Sequence, residues 1–73
     1  METRKLDCTG MNCPMPIVEM SKAVKQMSAG DLLEVTATDL AFKLDVEAWS
    51  RKTGHELESF DQSEVQVARI RIT

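Results

Sequence analysis

The chain of 73 residues has no tyrosine, one tryptophan and two phenylalanines. That leaves no aromatic platform on which nucleic-acid bases could stack. The formal net charge of −3 argues in the same direction, against direct nucleic-acid binding. Two cysteines allow at most one disulfide, too few for a stapled secreted scaffold. No apolar run approaches the ~20 residues needed to span a bilayer. The start, Met1-Glu2-Thr3-Arg4-Lys5-Leu6-Asp7, lacks the apolar core of a signal peptide. The expectation is a cytoplasmic protein with reduced thiols and no membrane contact. A lone histidine, His55, leaves no Ser-His-Asp or Cys-His-Asn set to assemble, which disfavours a protease or acyl-transfer enzyme. A chain this short buries only about 60% of its unfolded surface. One domain over residues 1–73 is therefore expected, with chemistry at its surface rather than in a deep pocket.

What is present is Cys13-Pro14-Met15-Pro16, placed just before an amphipathic helical stretch. Proline suits the first helical position, where the missing N–H would have no partner inside the helix. Pro14 therefore puts Cys13 at or beside a helix N-cap, where the dipole and free amides favour a thiolate. The prolines donate nothing, so Met15 and Ile17 are expected to supply the amides that face the sulfur. The reading is an accessible nucleophile. With no base beside it, its natural task is to accept and pass on a soft group by attack on sulfur.

Around this motif the periodicities change in a regular order. Arg4 to Cys8 reads as a short edge strand that ends in a turn around Gly10. Ile17, Met20, Val24 and Met27 form one apolar helical stripe, with Glu19, Lys22, Lys25 and Gln26 on the other face. Ser28-Ala29-Gly30-Asp31 stops that helix, and Leu32 to Thr38 reads as a buried strand. Phe42, Val46 and Trp49 mark a second helix, with Gly54 as its terminator and Asp39 or Asp45 as its cap. His55 to Phe60 and Val65 to Ile72 read as two strands joined by Asp61-Gln62-Ser63-Glu64. Ala68, Ile70 and Ile72 alternate with Arg69 and Arg71, giving one buried and one solvated face. Val65 and Val67 are out of phase with that set, which suggests a bulge or a frayed start there. The order β-α-β-α-β-β implies an α/β (α+β) two-layer sandwich, a four-stranded mixed sheet with both helices on one face.

The stretch Leu6-Asp7-Cys8-Thr9-Gly10-Met11-Asn12-Cys13-Pro14-Met15-Pro16 resembles the N-terminal signature of the TusA/SirA family of small sulfur carriers. Asp31, Thr38-Asp39 and Thr53-Gly54-His55-Glu56-Leu57 continue the likeness along nearly the whole chain. The resemblance implies the same β-α-β-α-β-β sandwich. It also implies that Cys13 carries a persulfide, accepted from a cysteine desulfurase or rhodanese-like donor and handed to a thiol acceptor protein. Such carriers serve tRNA thiolation and other sulfur metabolism, and no cofactor is implied.

Other readings stay open at this point. A non-catalytic binding or regulatory module on the same fold would make Cys13 merely structural. A dithiol redox protein would pair Cys13 with Cys8, which is otherwise a strand-end residue packed inward. Cys8, Cys13 and His55, with Asp7 or Asp39, make a poor metal set, because Cys-x4-Cys is not a common zinc spacing. No metal is expected. Met20 and Met27 fit a core, whereas Met11 and Met15 flank Cys13 and could offer a soft docking rim. Lys22 and Lys25 read as solvated, and His55 as a strand-start residue near the sheet edge.

Overall fold

The structure is a computed structural model, and it describes residues 2–73. The strands are β1 (Thr3–Cys8), β2 (Leu32–Ala37), β3 (Glu56–Gln62) and β4 (Gln66–Arg71), and the helices are α1 (Met15–Val24) and α2 (Phe42–Thr53). They occur in the expected order and form a four-stranded mixed sheet arranged β1-β2-β4-β3. β1 runs parallel to β2 from Thr3↔Leu32 to Cys8↔Ala37, and β4 runs antiparallel to both of its neighbours. β1 is an edge strand, as its mixed sequence suggests.

One sheet face is apolar. Cys8, Leu33, Val35, Ala37, Ala68, Ile70 and Ile72 are buried there against Met20, Ala23, Phe42, Val46 and Trp49 from the helices. The period-2 alternation of the central strands produces this face directly. The opposite face is charged and ordered by ion pairs. Arg69 bridges Glu34 and Asp61 at 3.0 Å each, and Arg71 holds Glu58 through two bonds of 2.9 and 3.2 Å.

Several boundaries differ from the sequence reading, each for a local reason. α1 ends at Val24, so Met27 packs on the core from the following turn, where its amide donates to the Val24 carbonyl at 3.1 Å. Neither Asp39 nor Asp45 caps α2. Ala41 is the N-cap and makes no side-chain bond, because the Asp39 carboxylate is engaged elsewhere and Asp45 already lies in the first turn. Gly54 does terminate α2, at φ 84°, with its amide donating to the Ser50 carbonyl at 2.9 Å. The β-bulge falls in β3, between Leu57 and Ser59, whereas Val65 lies outside β4, which starts at Gln66, so the later strand start holds there and the bulge does not. β4 is regular: Gln66 takes the buried position that precedes Ala68, while Val67 sits half-buried on the other face.

The parallel pairing of β1 with β2 has a consequence for the site. Their carboxyl ends lie side by side, so the loops that follow them meet at one edge of the sheet. Gly10, at φ 80°, donates its amide to Thr38 Oγ1 at 2.9 Å and ties the first loop to the second.

Candidate functional site

Cys13 lies in the tethered loop between β1 and α1 and is exposed. Its amide donates to Asp39 Oδ2 at 3.0 Å, which anchors it to the loop after β2. Asp39 is held in turn by Gln66, whose Nε2 donates to the Asp39 carbonyl at 2.7 Å from within the sheet. The Cys13–Pro14 peptide bond is cis, Pro14 is the N-cap of α1, and Met15 is its first helical residue. The helix thus starts one residue later than Pro14 suggests, with Pro16 buried in its first turn.

The electrostatics depart from the expected thiolate. The Met15 amide donates to the Asn12 carbonyl at 2.8 Å, so it is not free to face the sulfur. Cys13 Sγ, a carboxylate oxygen of Asp39 and one of Asp45 all lie within 4.8 Å of one another. Hydrogen bonding to Asp45 pushes the Cys13 thiol above its ordinary value, reinforced by desolvation and by the negative charges of Asp45 and Asp39. Two half-buried carboxylates beside the thiol outweigh the helix terminus. The arrangement disfavours the thiolate.

Cys13 opens onto a groove of about 600 Å³ between the helices, lined by Pro14, Ile17, Trp49 and Asp45 and reaching Lys52. Surface chemistry was expected, but a groove of this size was not. Trp49 Nε1 donates to Ser21 Oγ at 3.2 Å across its floor. Met15, two residues after Cys13, is 44% exposed, whereas Met11 packs partly on the core. Leu40 and Leu44 add apolar surface at the start of α2, at 91% and 71% exposure.

The remaining candidates lie elsewhere. Cys8 is fully buried, and burial first, then the charges of Glu19 and Asp7, pushes its thiol up. His55 is beyond the far end of α2, where Nδ1 accepts from the Thr73 amide at 3.3 Å and the ring lies 5.5 Å from that of Trp49. The set Cys8, Cys13 and His55 is therefore not assembled. Asp39 and Asp45 gather around Cys13 instead, with Sγ and one carboxylate oxygen of each mutually within 4.8 Å, and Asp39 Oδ2 is engaged by the Cys13 amide. Asp45 is the residue that sequence reasoning missed at the site, because an acid at a helix start reads as a cap. It falls three residues after Phe42 and four before Trp49, a carboxylate on the flank of the apolar stripe of α2.

Fold and site together define a class: a small two-layer α+β domain that presents one exposed cysteine at the entry to a helix. The family model described as sulfurtransferase TusA matches residues 4–73, and the chain belongs to that family. The chain is 46% identical over 61 residues to YrkI of Bacillus subtilis, named as a candidate sulfur carrier, covering 82% of this chain and 81% of that protein. It is 43% identical over 54 residues to the sulfur carrier protein TusA of Allochromatium vinosum, covering 74% and 71%. YrkF of Bacillus subtilis, also named as a candidate sulfur carrier, is 51% identical over 51 residues. That match takes in 70% of this chain and 28% of YrkF, so the chain spans little more than a quarter of the longer relative. Among the described residues no helix is long and apolar enough to cross a membrane.

Proposed function

We propose that this chain is a sulfur-relay carrier that holds sulfur as a persulfide on Cys13. The observation that carries the reading is an exposed thiol held by its backbone at the mouth of an open groove, in a chain whose family relatives are named sulfur carriers. Cys13 Sγ attacks the terminal sulfur of a donor persulfide, as on a cysteine desulfurase or a rhodanese-like protein. The new S–S bond forms as the donor's breaks, and the donor leaves as a thiol. An acceptor thiol protein then removes the sulfur by the same exchange, within tRNA thiolation or another branch of sulfur metabolism. Exchange of this kind depends on access to the sulfur, and an open groove provides that access to a partner's cysteine.

Pro14 and Pro16 set the turn that presents the sulfur, Gly10 ties the loop down, and Ile17 lines the groove. Cys8 is too buried to serve as a resolving thiol without unfolding β1, which favours a single-cysteine carrier over a dithiol redox pair. Mass spectrometry after incubation with a cysteine desulfurase and cysteine tests the proposal. The expected result is a gain of one sulfur atom's mass, absent in Cys13→Ser and retained in Cys8→Ser. No gain in the wild type would leave the fold with a binding or regulatory role. A loss of two hydrogens instead would mark a dithiol.

A further inference from the structure

Sulfur transfer requires something that the cysteine motif does not itself provide. The attacking form of a thiol is its thiolate, so the Cys13 proton must go somewhere as sulfur arrives. The charged groups around Cys13 are Asp39 from the loop after β2, Asp45 from α2, and Lys52, which lines the same groove about two turns further along α2. From α1, Ile17 and Ser21 line the groove and bring no charge. His55 is remote, since the rise of α2 from Asp45 to Thr53 alone is about 12 Å.

The two carboxylates are not equivalent. Asp39 is an anchor: Oδ2 accepts from the Cys13 amide at 3.0 Å, and its carbonyl accepts from Gln66 at 2.7 Å. Asp45 is not committed in this way, and among the described residues no lysine or arginine forms an ion pair with it. A carboxylate oxygen of Asp45 lies within 4.8 Å of Cys13 Sγ.

We propose that Asp45 is the proton acceptor for Cys13, taking the Sγ proton as the sulfur attacks a donor persulfide and returning it to the departing donor thiolate. This rests on the carrier reading above. The step balances without an oxidant or reductant. The Sγ–S bond forms, the donor S–S bond breaks with its electron pair on the donor sulfur, and one proton passes from Cys13 through Asp45 to that sulfur. A carboxylate is a weak base towards a resting thiol. The S–H bond acidifies as the sulfur's electron pair enters the new bond, and at that moment a positioned carboxylate suffices. Between transfers the same contact keeps Cys13 protonated and shields it from stray electrophiles.

The test separates this role from simple charge repulsion. Alkylation by iodoacetamide against pH reads the thiolate directly, and persulfide loading from a cysteine desulfurase with cysteine reads the transfer. Asp45→Asn moves the alkylation profile to lower pH in either case. If Asp45 only repels, each unit of lowered pKa gives ten times more thiolate of lower nucleophilicity, and loading rises about threefold. If Asp45 accepts the proton, loading falls by at least about tenfold, with a ceiling of roughly 10²–10⁴, and Asp45→Glu recovers part of it. Buried Cys8 stays unalkylated in a folded variant, so the same digest reports folding, and Asp45→Ser serves if Asp45→Asn does not fold. Loading in the Asp45 variants at or above the wild-type rate overturns the proposal and leaves the carrier reading intact. Wild-type protein that takes up no sulfur overturns both.

Discussion

Ser21→Ala is expected to loosen the groove wall by a calculable amount. Trp49 is 7% exposed, and its indole N–H donates to Ser21 Oγ at 3.2 Å. Among the described residues this is the one side-chain hydrogen bond between α1 and α2. Removing the acceptor leaves a largely buried N–H without a partner, at a cost of about 1 kcal/mol. For a domain of this size the total stability is roughly 4–11 kcal/mol on per-residue averages. A loss of that order lowers Tm by about 4–8 °C. Trp49→Phe removes the donor, so in that background Ser21→Ala should cost no more than about 0.3–0.5 kcal/mol, the spread of non-interacting pairs. Thermal and urea unfolding followed by far-UV circular dichroism measure all four corners of the cycle, since the Phe variant loses the chain's only tryptophan. Equal costs of Ser21→Ala in both backgrounds would show that the bond does not couple the helices.

Two further outcomes follow from the backbone and the charged face. Gly54→Ala should destabilise by about 1–2 kcal/mol, the cost of a Cβ in the left-handed region; φ is 84° there and no neighbouring atom lies within 4 Å of the added carbon, so a neutral result would mean that α2 ends differently. Hydrogen bonding to Arg71 holds the Glu58 carboxyl below its usual range, so its contribution is present above the ordinary value of about 4.3 and is lost as pH falls through the lowered one. The urea midpoint should therefore fall more steeply with acid in the wild type than in Arg71→Gln, and parallel profiles would contradict the pairing.

The order of elements was legible because each announced itself by period: the Ile17-Met20-Val24 stripe, the Ala68-Ile70-Ile72 alternation, and Gly54 at a helix end. The bulge was legible too, but in another place. Leu57 and Phe60 both pack on the core, and a strand that alternates sides cannot bring two residues three apart to the same face without an extra residue between them. Val67 falls out of phase with Ala68, Ile70 and Ile72 because it lies on the other face, and polar Gln66 is the buried member of that strand. Its amide is used to hold Asp39, a partner 27 residues away that no local window contains.

The candidate site divides along the same line. The position of Cys13 was local information, written in two prolines and a glycine turn. Its protonation was not, because the deciding groups come from the loop after β2 and from α2, brought to Cys13 by the parallel pairing of β1 with β2. An isolated helix start would favour a thiolate; this one meets two carboxylates, and hydrogen bonding to Asp45, then desolvation and charge, push the thiol up. Asp45 carries no such mark in the sequence, since an acid in the first turn of a helix suits the dipole there. Only the fold, which brings its carboxylate within 4.8 Å of Cys13 Sγ, ties Asp45 to Cys13 as well as to the start of α2.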